Sequence, residues 1–261
     1  MITAASNSRI KRLVQLNQKS KLRRTEDVFL AEGVKMFLEA PREQLQEVYV
    51  SESFLEKCSC REHLEEVGYE VVSDSVFSKI SDTCTPQGVL CVLKQFHYNI
   101  EEMLRDKAPL FLLLENIQDP GNLGTMLRTG EGAGVSGIIM SRDTVDLYNP
   151  KVIRSTMGSI YRVPFYYADD FAEAVHQVQR ASVSVYAAHL RGKNSYACQD
   201  YTKGTAFLIG NEGNGLREET AELADCYIRI PMEGKVESLN AAVASSILMY
   251  EAHRQRATIE K

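Results

Sequence analysis

Three stretches, each joining an apolar run to a helix-like segment, hold the polar residues whose types and spacing suit chemistry. The first, "LLLENIQDPGNLGTMLRTGEGAG", ends a strand-like run at Glu115 and Asn116, turns through Pro-Gly, and offers Asn122 and, six residues on, Arg128. The second, "LIGNEGNGLREE", sets Glu212 between Asn211 and Gly213, with Gly210 at the strand end and Gly215 beyond. The third, "IRIPMEGKVESLNAAVASSI", runs from a strand into Ser238 and Asn240 at the start of a long helix, with Ser238 expected as its cap. Amides, one carboxylate, one hydroxyl and one guanidinium can position a reactant and hold a proton. In open α/β sheets such residues meet beyond the carboxyl ends of strands. Glycines at such a junction let backbone approach a ligand, or simply make a tight turn. Taken alone, Arg128 reads as a surface arginine, as most arginines do.

Several familiar chemistries are absent. Neither "GNLGTM" nor "GNEGNG" has the order or position of a dinucleotide-binding GxGxxG. There is no GxxxxGK[ST] phosphate loop, no HExxH and no GxSxG. Cys58, Cys60 and His63 lack a fourth ligand at zinc spacing, so no metal is expected. None of the six cysteines forms a CxxC pair, and a chain of 261 residues does not need disulfides to fold. No apolar stretch approaches the roughly 20 residues that span a bilayer, and the N-terminus has no signal-peptide segment. A cytoplasmic protein without a membrane partner is expected.

The elements that would position these junctions form two alternating series. Residues 1–94 read as short strands and helices, among them "VFLAEG", "LQEVYVS" and "GVLCVLK", with the helix "DSVFSKIS" opened by an Asp cap. This is a small α/β domain. A polar stretch, 95–108, reads as a linker. Residues 109–261 carry apolar strands of four to six residues almost without alternation, which indicates a parallel sheet covered on both faces. The last helix is expected from about Ser238, packing through Leu239, Val243 and Ile247.

Charge is distributed unevenly. Arg9, Lys11, Arg12, Lys19, Lys21, Arg23 and Arg24 give the N-terminal segment +7 with no acid through position 24; at a net charge of −5, the remainder carries −12. A basic helical segment on an acidic protein is either a solvated face or a contact for nucleic-acid phosphates.

The three junctions, in order and spacing, resemble the three signature motifs of the SpoU family of RNA ribose 2′-O-methyltransferases, within the SPOUT superfamily. The matching residues are "NIQDPGNLGTMLRTGEGAG", "LIGNEGNGL" and "IRIPMEGKVESLNAAVASSILMYEA". "SNSRIKRLVQLNQKSKLRRTEDVFLAEG" with "TPQGVLCV" is similar to the ribosomal-protein-like substrate-binding domain that often precedes them. The resemblance implies a C-terminal trefoil-knotted parallel sheet that holds S-adenosylmethionine bent in the knot. By position, Gly210, Ile230 and Leu239 match cofactor contacts. Arg128 matches the key catalytic residue, with Asn122, Glu212, Ser238 and Asn240 as the other polar motif positions; Glu212 would orient Arg128 or a neighbouring donor. For Ser238 a pure capping role stands beside the catalytic one. The resemblance also implies a homodimer, to which Met126, Met157, Ile247 and Tyr250 are candidates, and an RNA substrate, ribosomal before transfer RNA. Under it the seven basic residues from Arg9 to Arg24 become phosphate contacts. The competing readings are a tRNA ribose methyltransferase, a non-catalytic RNA-binding protein that keeps the knot, and a nucleotide-dependent oxidoreductase.

Overall fold

The computed structural model describes residues 1–259 and separates into two compact units. One comprises Met1–Phe96 with Asp146–Tyr161; the other comprises His97–Val145 and the chain from Arg162 onward. The first part of the chain forms α1 (Ser8–Gln18), α2 (Ser20–Glu26), β1 (Val28–Glu32), α3 (Val34–Leu38), β2 (Leu45–Ser51), α4 (Glu52–Lys57), α5 (Arg61–Val67), β3 (Glu70–Val72), α6 (Asp74–Ile80) and β4 (Val89–Lys94). There follow α7 (Ile100–Met103), β5 (Leu110–Leu114), α8 (Pro120–Ala133), β6 (Gly137–Ser141), α9 (Pro150–Thr156), β7 (Phe165–Ala168), α10 (Phe171–Arg180) and β8 (Ser184–Ala188). The last elements are β9 (Asn194–Ser195), β10 (Thr205–Ile209), α11 (Glu218–Ala221), β11 (Cys226–Arg229) and α12 (Ala241–Ile259).

In the first unit the sheet order is β1-β4-β2-β3, with β4 antiparallel to both neighbours and β3 parallel to β2. Ile10, Leu13 and Leu16 of α1 pack with Tyr49, Phe77 and Val92 in its core. Residues 146–161 complete this unit. Tyr148 lies 4.8 Å from Phe29 between ring centroids, its hydroxyl bonds the backbone of Phe96, and the Tyr161 hydroxyl donates to Met36 O.

The second unit is built on a seven-stranded sheet, β7-β6-β5-β10-β8-β11-β9, in which every pairing is parallel. All five residues of β5, of β6 and of β10 are buried, which is why these strands show no polar alternation in sequence. The chain leaving β5 crosses to β6 on one side and the chain leaving β10 crosses to β11 on the other, so the loops at the carboxyl ends of this central pair diverge and open a crevice. Those loops are the first two chemical junctions.

Several boundaries differ from the sequence expectation. The 95–108 stretch is not featureless: it contains α7, whose Ile100 and Met103 are buried in the second unit's core. Asp74 does not cap α6, because Ser73 holds the cap position and the Asp74 carboxylate accepts from Ser53 instead. α12 begins at Ala241, later than expected, and its packing face also differs: Ala241, Ala242, Ser245, Leu248, Met249 and Ala252 are buried, while Val243 turns outward. No helix among the described residues is long and apolar enough to cross a membrane, and their six cysteines are all free thiols.

The basic segment divides into two kinds of residue. Arg23 is 3% exposed. Its guanidinium donates to Leu16 O and Asn17 O, closing the carbonyl end of α1, and pairs with Asp146 at 2.6 Å. It is a structural arginine, screened from any phosphate, and this corrects its inclusion in the basic set. Arg12 pairs with Glu26 and Glu47, and Arg9 with Glu70. Lys11, Lys19, Lys21 and Arg24 are exposed and have no carboxylate partner among the described residues. Arg23→Ala strands a part-buried acid and two helix carbonyls, so about 3 kcal/mol of stability should be lost in urea unfolding. Lys21→Ala should stay within about 0.5 kcal/mol.

Candidate active site

α8 starts where its sequence requires. Asp119 accepts from Asn122 N at 2.8 Å as the N-cap, Pro120 occupies the first turn, and Gly134 ends the helix at φ +76°. This start leaves the Asn122 side chain free to reach sideways. Its Nδ2 donates to Glu212 Oε1 at 3.0 Å, and its Oδ1 accepts from Asn240 Nδ2 at 2.9 Å. One residue from each junction is thereby joined in a single chain, Glu212–Asn122–Asn240.

Asn240 has a second task. Its Oδ1 accepts from Ala242 N and Val243 N, so it is the cap of α12. The expected cap, Ser238, lies exposed two residues earlier and lines a cavity. The correction has a physical reason: Asn240 keeps acceptor and donor on separate atoms, so Oδ1 holds the helix amides while Nδ2 reaches Asn122, two places that a single hydroxyl oxygen on a shorter side chain cannot serve together.

Glu212 binds loops rather than the arginine. Oε1 also accepts from Asp119 N at 3.0 Å and Oε2 from Gln118 N at 3.1 Å. Partial burial works to raise its pKa, but the bonds from Asn122, Asp119 and Gln118 outweigh this and hold the carboxyl below its usual range. A depressed folded pKa means the stabilisation is complete above the ordinary carboxylate range and is lost as pH falls through the lower folded value. The stability advantage of the wild type over Glu212→Gln should therefore be flat from pH 8 to 5 and shrink only below about 4.3, as read by thermal unfolding across pH.

The glycine-rich turn has its own geometry. Asn211 and Gly215 exchange backbone hydrogen bonds at 3.0 and 2.9 Å, and Asn211 Oδ1 accepts from Gly213 N and Asn214 N. Asn211 Nδ2 ties the turn to Asn116 O at 2.8 Å. Gly215 has φ +69°, and a Cβ on Gly210 would lie 2.2 Å from Gly215 C and Leu216 N. Gly210 is thus demanded first by the chain folding back on itself.

A cavity of about 300 Å³ opens beside this turn. It is lined by the chain after β8 (His189, Leu190), by Gly210–Leu216 after β10, by Arg229 at the end of β11, and by Ile230 and Met232 with Glu237–Leu239 after it. Gly210, Glu212, Ile230, Ser238 and Leu239 all line this one cavity. Arg128 does not join them. It is exposed on α8, and its side chain makes no hydrogen bond or ion pair among the described residues.

The chain matches the SpoU rRNA Methylase family over residues 109–250. It belongs to that family. Residues 7–91 match an MRM3-like substrate binding domain. The 23S rRNA (guanosine(2553)-2′-O)-methyltransferase RlmP of Bacillus subtilis is 32% identical over 252 residues, covering 95% of this chain and 97% of that protein. The AdoMet-bound rRNA methyltransferase of Sinorhizobium meliloti has a similar structure, with a TM-score of 0.83 and 31% identity, covering 97% of each chain. So does the SpoU methyltransferase AviRb of Streptomyces viridochromogenes in complex with AdoMet, at a TM-score of 0.87 and 27% identity, covering 97% of this chain and 99% of that one.

Sequence reasoning passed over His189. Its Nδ1 accepts from Arg191 N at 3.1 Å, and its ring lies 5.0 Å from that of Tyr227. Burial, and then the Arg191 charge, lower its pKa against the opposing pull of Glu218, so the ring is neutral at neutral pH. The available signal was its position just after the carboxyl end of a strand.

Proposed function

We propose that the protein transfers a methyl group from S-adenosylmethionine to a ribose 2′-hydroxyl in ribosomal RNA, a guanosine as in the RlmP relative. The observation that carries this reading is the cavity, walled by the ends of three parallel strands and joined through Glu212 to Asn122 and Asn240. Its size falls at the lower end of the range for small-molecule sites. Its lining suits the cofactor: backbone and apolar groups from Gly210, Ile230 and Leu239 flank the carboxylates of Glu212 and Glu237, which suit a ligand bearing sulfonium and ammonium charges. We read the Gly210–Leu216 turn and the segment through Ser238 as parts of the family's trefoil knot.

The bound cofactor supplies an activated methyl; the 2′-oxygen–carbon bond forms as the sulfonium–methyl bond breaks, S-adenosylhomocysteine leaves and the 2′-hydroxyl proton passes to water, so the protein's work is alignment. Glu212 fixes Asn122, and Asn122 with Asn240 presents amides toward the substrate ribose. Glu212's oxygens are already accepting from the loops, which makes it a poor proton acceptor. Arg128 is left as the group free to meet the substrate; its planar fork of donors matches a phosphate, so it orients the phosphate beside the attacking 2′-oxygen. Ser238, on the cavity wall, contacts the cofactor side.

A homodimer fits the outward row Val243, Ile247 and Tyr250 on α12, of which Val243 and Tyr250 are 48% and 49% exposed. Met126 is fully buried and serves the core instead. RNA phosphates are held by Lys11, Lys19, Lys21 and Arg24, which contact backbone without reading bases. Replacing these four by alanine should flatten the dependence of log binding constant on log salt by about 3. An unchanged slope in filter binding at several salt concentrations would return them to a solvated face.

The direct test is titration calorimetry with S-adenosylhomocysteine, run beside NADH. Saturation near one site per chain, with no NADH signal, is expected, followed by methyl incorporation into ribosomal RNA. Binding of NADH instead would overturn the reading.

A further inference from the structure

Glu115, the residue after β5, carries a carboxylate that is almost wholly buried, at 1% exposure. A buried charge persists only when paired and hydrogen-bonded. The partners of its carboxylate all lie in one short segment, immediately after the glycine-rich turn. Oε2 accepts from Arg217 N at 2.8 Å, Oε1 accepts from Thr220 Oγ1, and the Arg217 guanidinium stands 3.5 Å away. Arg217 reaches on to Asp143, which accepts from Ser141 Oγ. Ser141 Oγ in turn accepts from Asn116 N at 2.8 Å. The ring of bonds closes on the residue next to Glu115.

We propose that Glu115 is a positioning residue for methyl transfer: through Arg217 and Thr220 it fixes the far end of the Asn211–Leu216 turn, and so sets where Glu212 meets Asn122. The inference rests on the reading of the cavity given above. The near end of the turn is held by Asn211 on Asn116 O, and the far end leaves Leu216, which is buried, directly into Arg217. With both ends fixed, the turn presents Glu212 to Asn122 and to the amides of Gln118 and Asp119. Glu115 itself is absent from the cavity lining. An acceptor-only group is required here, because every neighbour that reaches it is a donor.

Glu115→Gln is the clean probe, since it keeps the volume but turns one acceptor into a donor facing donors. Hydrogen exchange of the ligand-free protein, followed by mass spectrometry, should show the amides of 213–216 exchanging at least tenfold faster, while β5 and β10 stay protected. In the same variant the S-adenosylhomocysteine dissociation constant should rise at least tenfold and kcat should fall, with RNA affinity within twofold. Asp143→Asn, which leaves every Glu115 bond in place, should bind S-adenosylhomocysteine within threefold of wild type. Glu115→Gln that exchanges and binds like wild type overturns the proposal. So does a variant in which β5 and β10 loosen together with the turn, since that marks a purely structural acid. If Glu115→Gln does not fold, Thr220→Val removes the hydroxyl that donates to Oε1 while keeping the side-chain shape, and carries the same expectations. The exchange measurement needs no ligand, so failure of wild type to bind S-adenosylhomocysteine would sink the cavity reading and leave the anchoring to be decided separately.

Discussion

Arg128→Ala should lower kcat at least about 10³-fold, the scale of losing a group aimed at charge that develops in the transition state. The S-adenosylhomocysteine dissociation constant should stay within a few-fold. The structure supports this separation. Arg128 is exposed on α8, and its side chain makes no hydrogen bond or ion pair among the described residues. Removing it strands no buried partner, so stability should change by no more than about 0.5 kcal/mol. It is also absent from the cavity lining. Arg128→Lys should recover only part of the rate, because an ammonium keeps the charge but not the planar fork that grips a phosphate. Single-turnover methylation with saturating cofactor reads the chemical step directly. Turnover near that of wild type in Arg128→Ala would make it an ordinary surface arginine.

Gly210→Ala should reduce S-adenosylhomocysteine affinity at least about 100-fold and cost about 1–3 kcal/mol of stability, the range for forcing one extra methyl into packed structure. The new Cβ would stand 2.2 Å from Gly215 C and Leu216 N and 2.5 Å from Gly215 O. These are backbone atoms, which cannot swing aside as a side-chain end can. Either the Asn211–Gly215 pairing opens or the end of β10 moves, and both displace the cavity wall. Gly213→Ala is the internal control. Its Cβ would meet only Asn211 Oδ1, at 3.6 Å, so binding should stay within a few-fold. Calorimetric titration and thermal unfolding of the two variants side by side separate a local steric effect from general intolerance of the turn. Equal behaviour of the two would place the cavity elsewhere.

Much of the framework was legible in the sequence because local pattern determines it. β5, β6 and β10 are buried on both faces and read as unbroken apolar runs, which told of a parallel sheet. The three junctions were legible as a set, since amides, an acid and glycines crowd them. What stayed hidden depends on partners distant in sequence. Ser238 and Asn240 are both good caps, and the choice between them is made by Asn122, 118 residues away. The run of basic residues gave no sign that Arg23 meets an acid 123 residues later. Glu115 looked like the end of a strand, because Arg217 lies 102 residues on. Gly210 announced a close approach, but not that the neighbour is the protein's own backbone.

The first unit is assembled from two separate lengths of chain, and this bears on the order of events during synthesis. Asp146, the partner of buried Arg23, and Tyr148 and Tyr161, which bond the backbone of Phe96 and Met36, are made only after β5, α8 and β6. At roughly 5–20 residues per second, some 3–13 s pass between completion of Phe96 and of Tyr161. For that interval the N-terminal piece waits without its last layer, with the Arg23 charge unpaired. The second unit then still lacks the chain that supplies β10 and α12. The two bodies therefore mature nearly together, late in translation, and neither is a module that a simple cut after β4 would release intact.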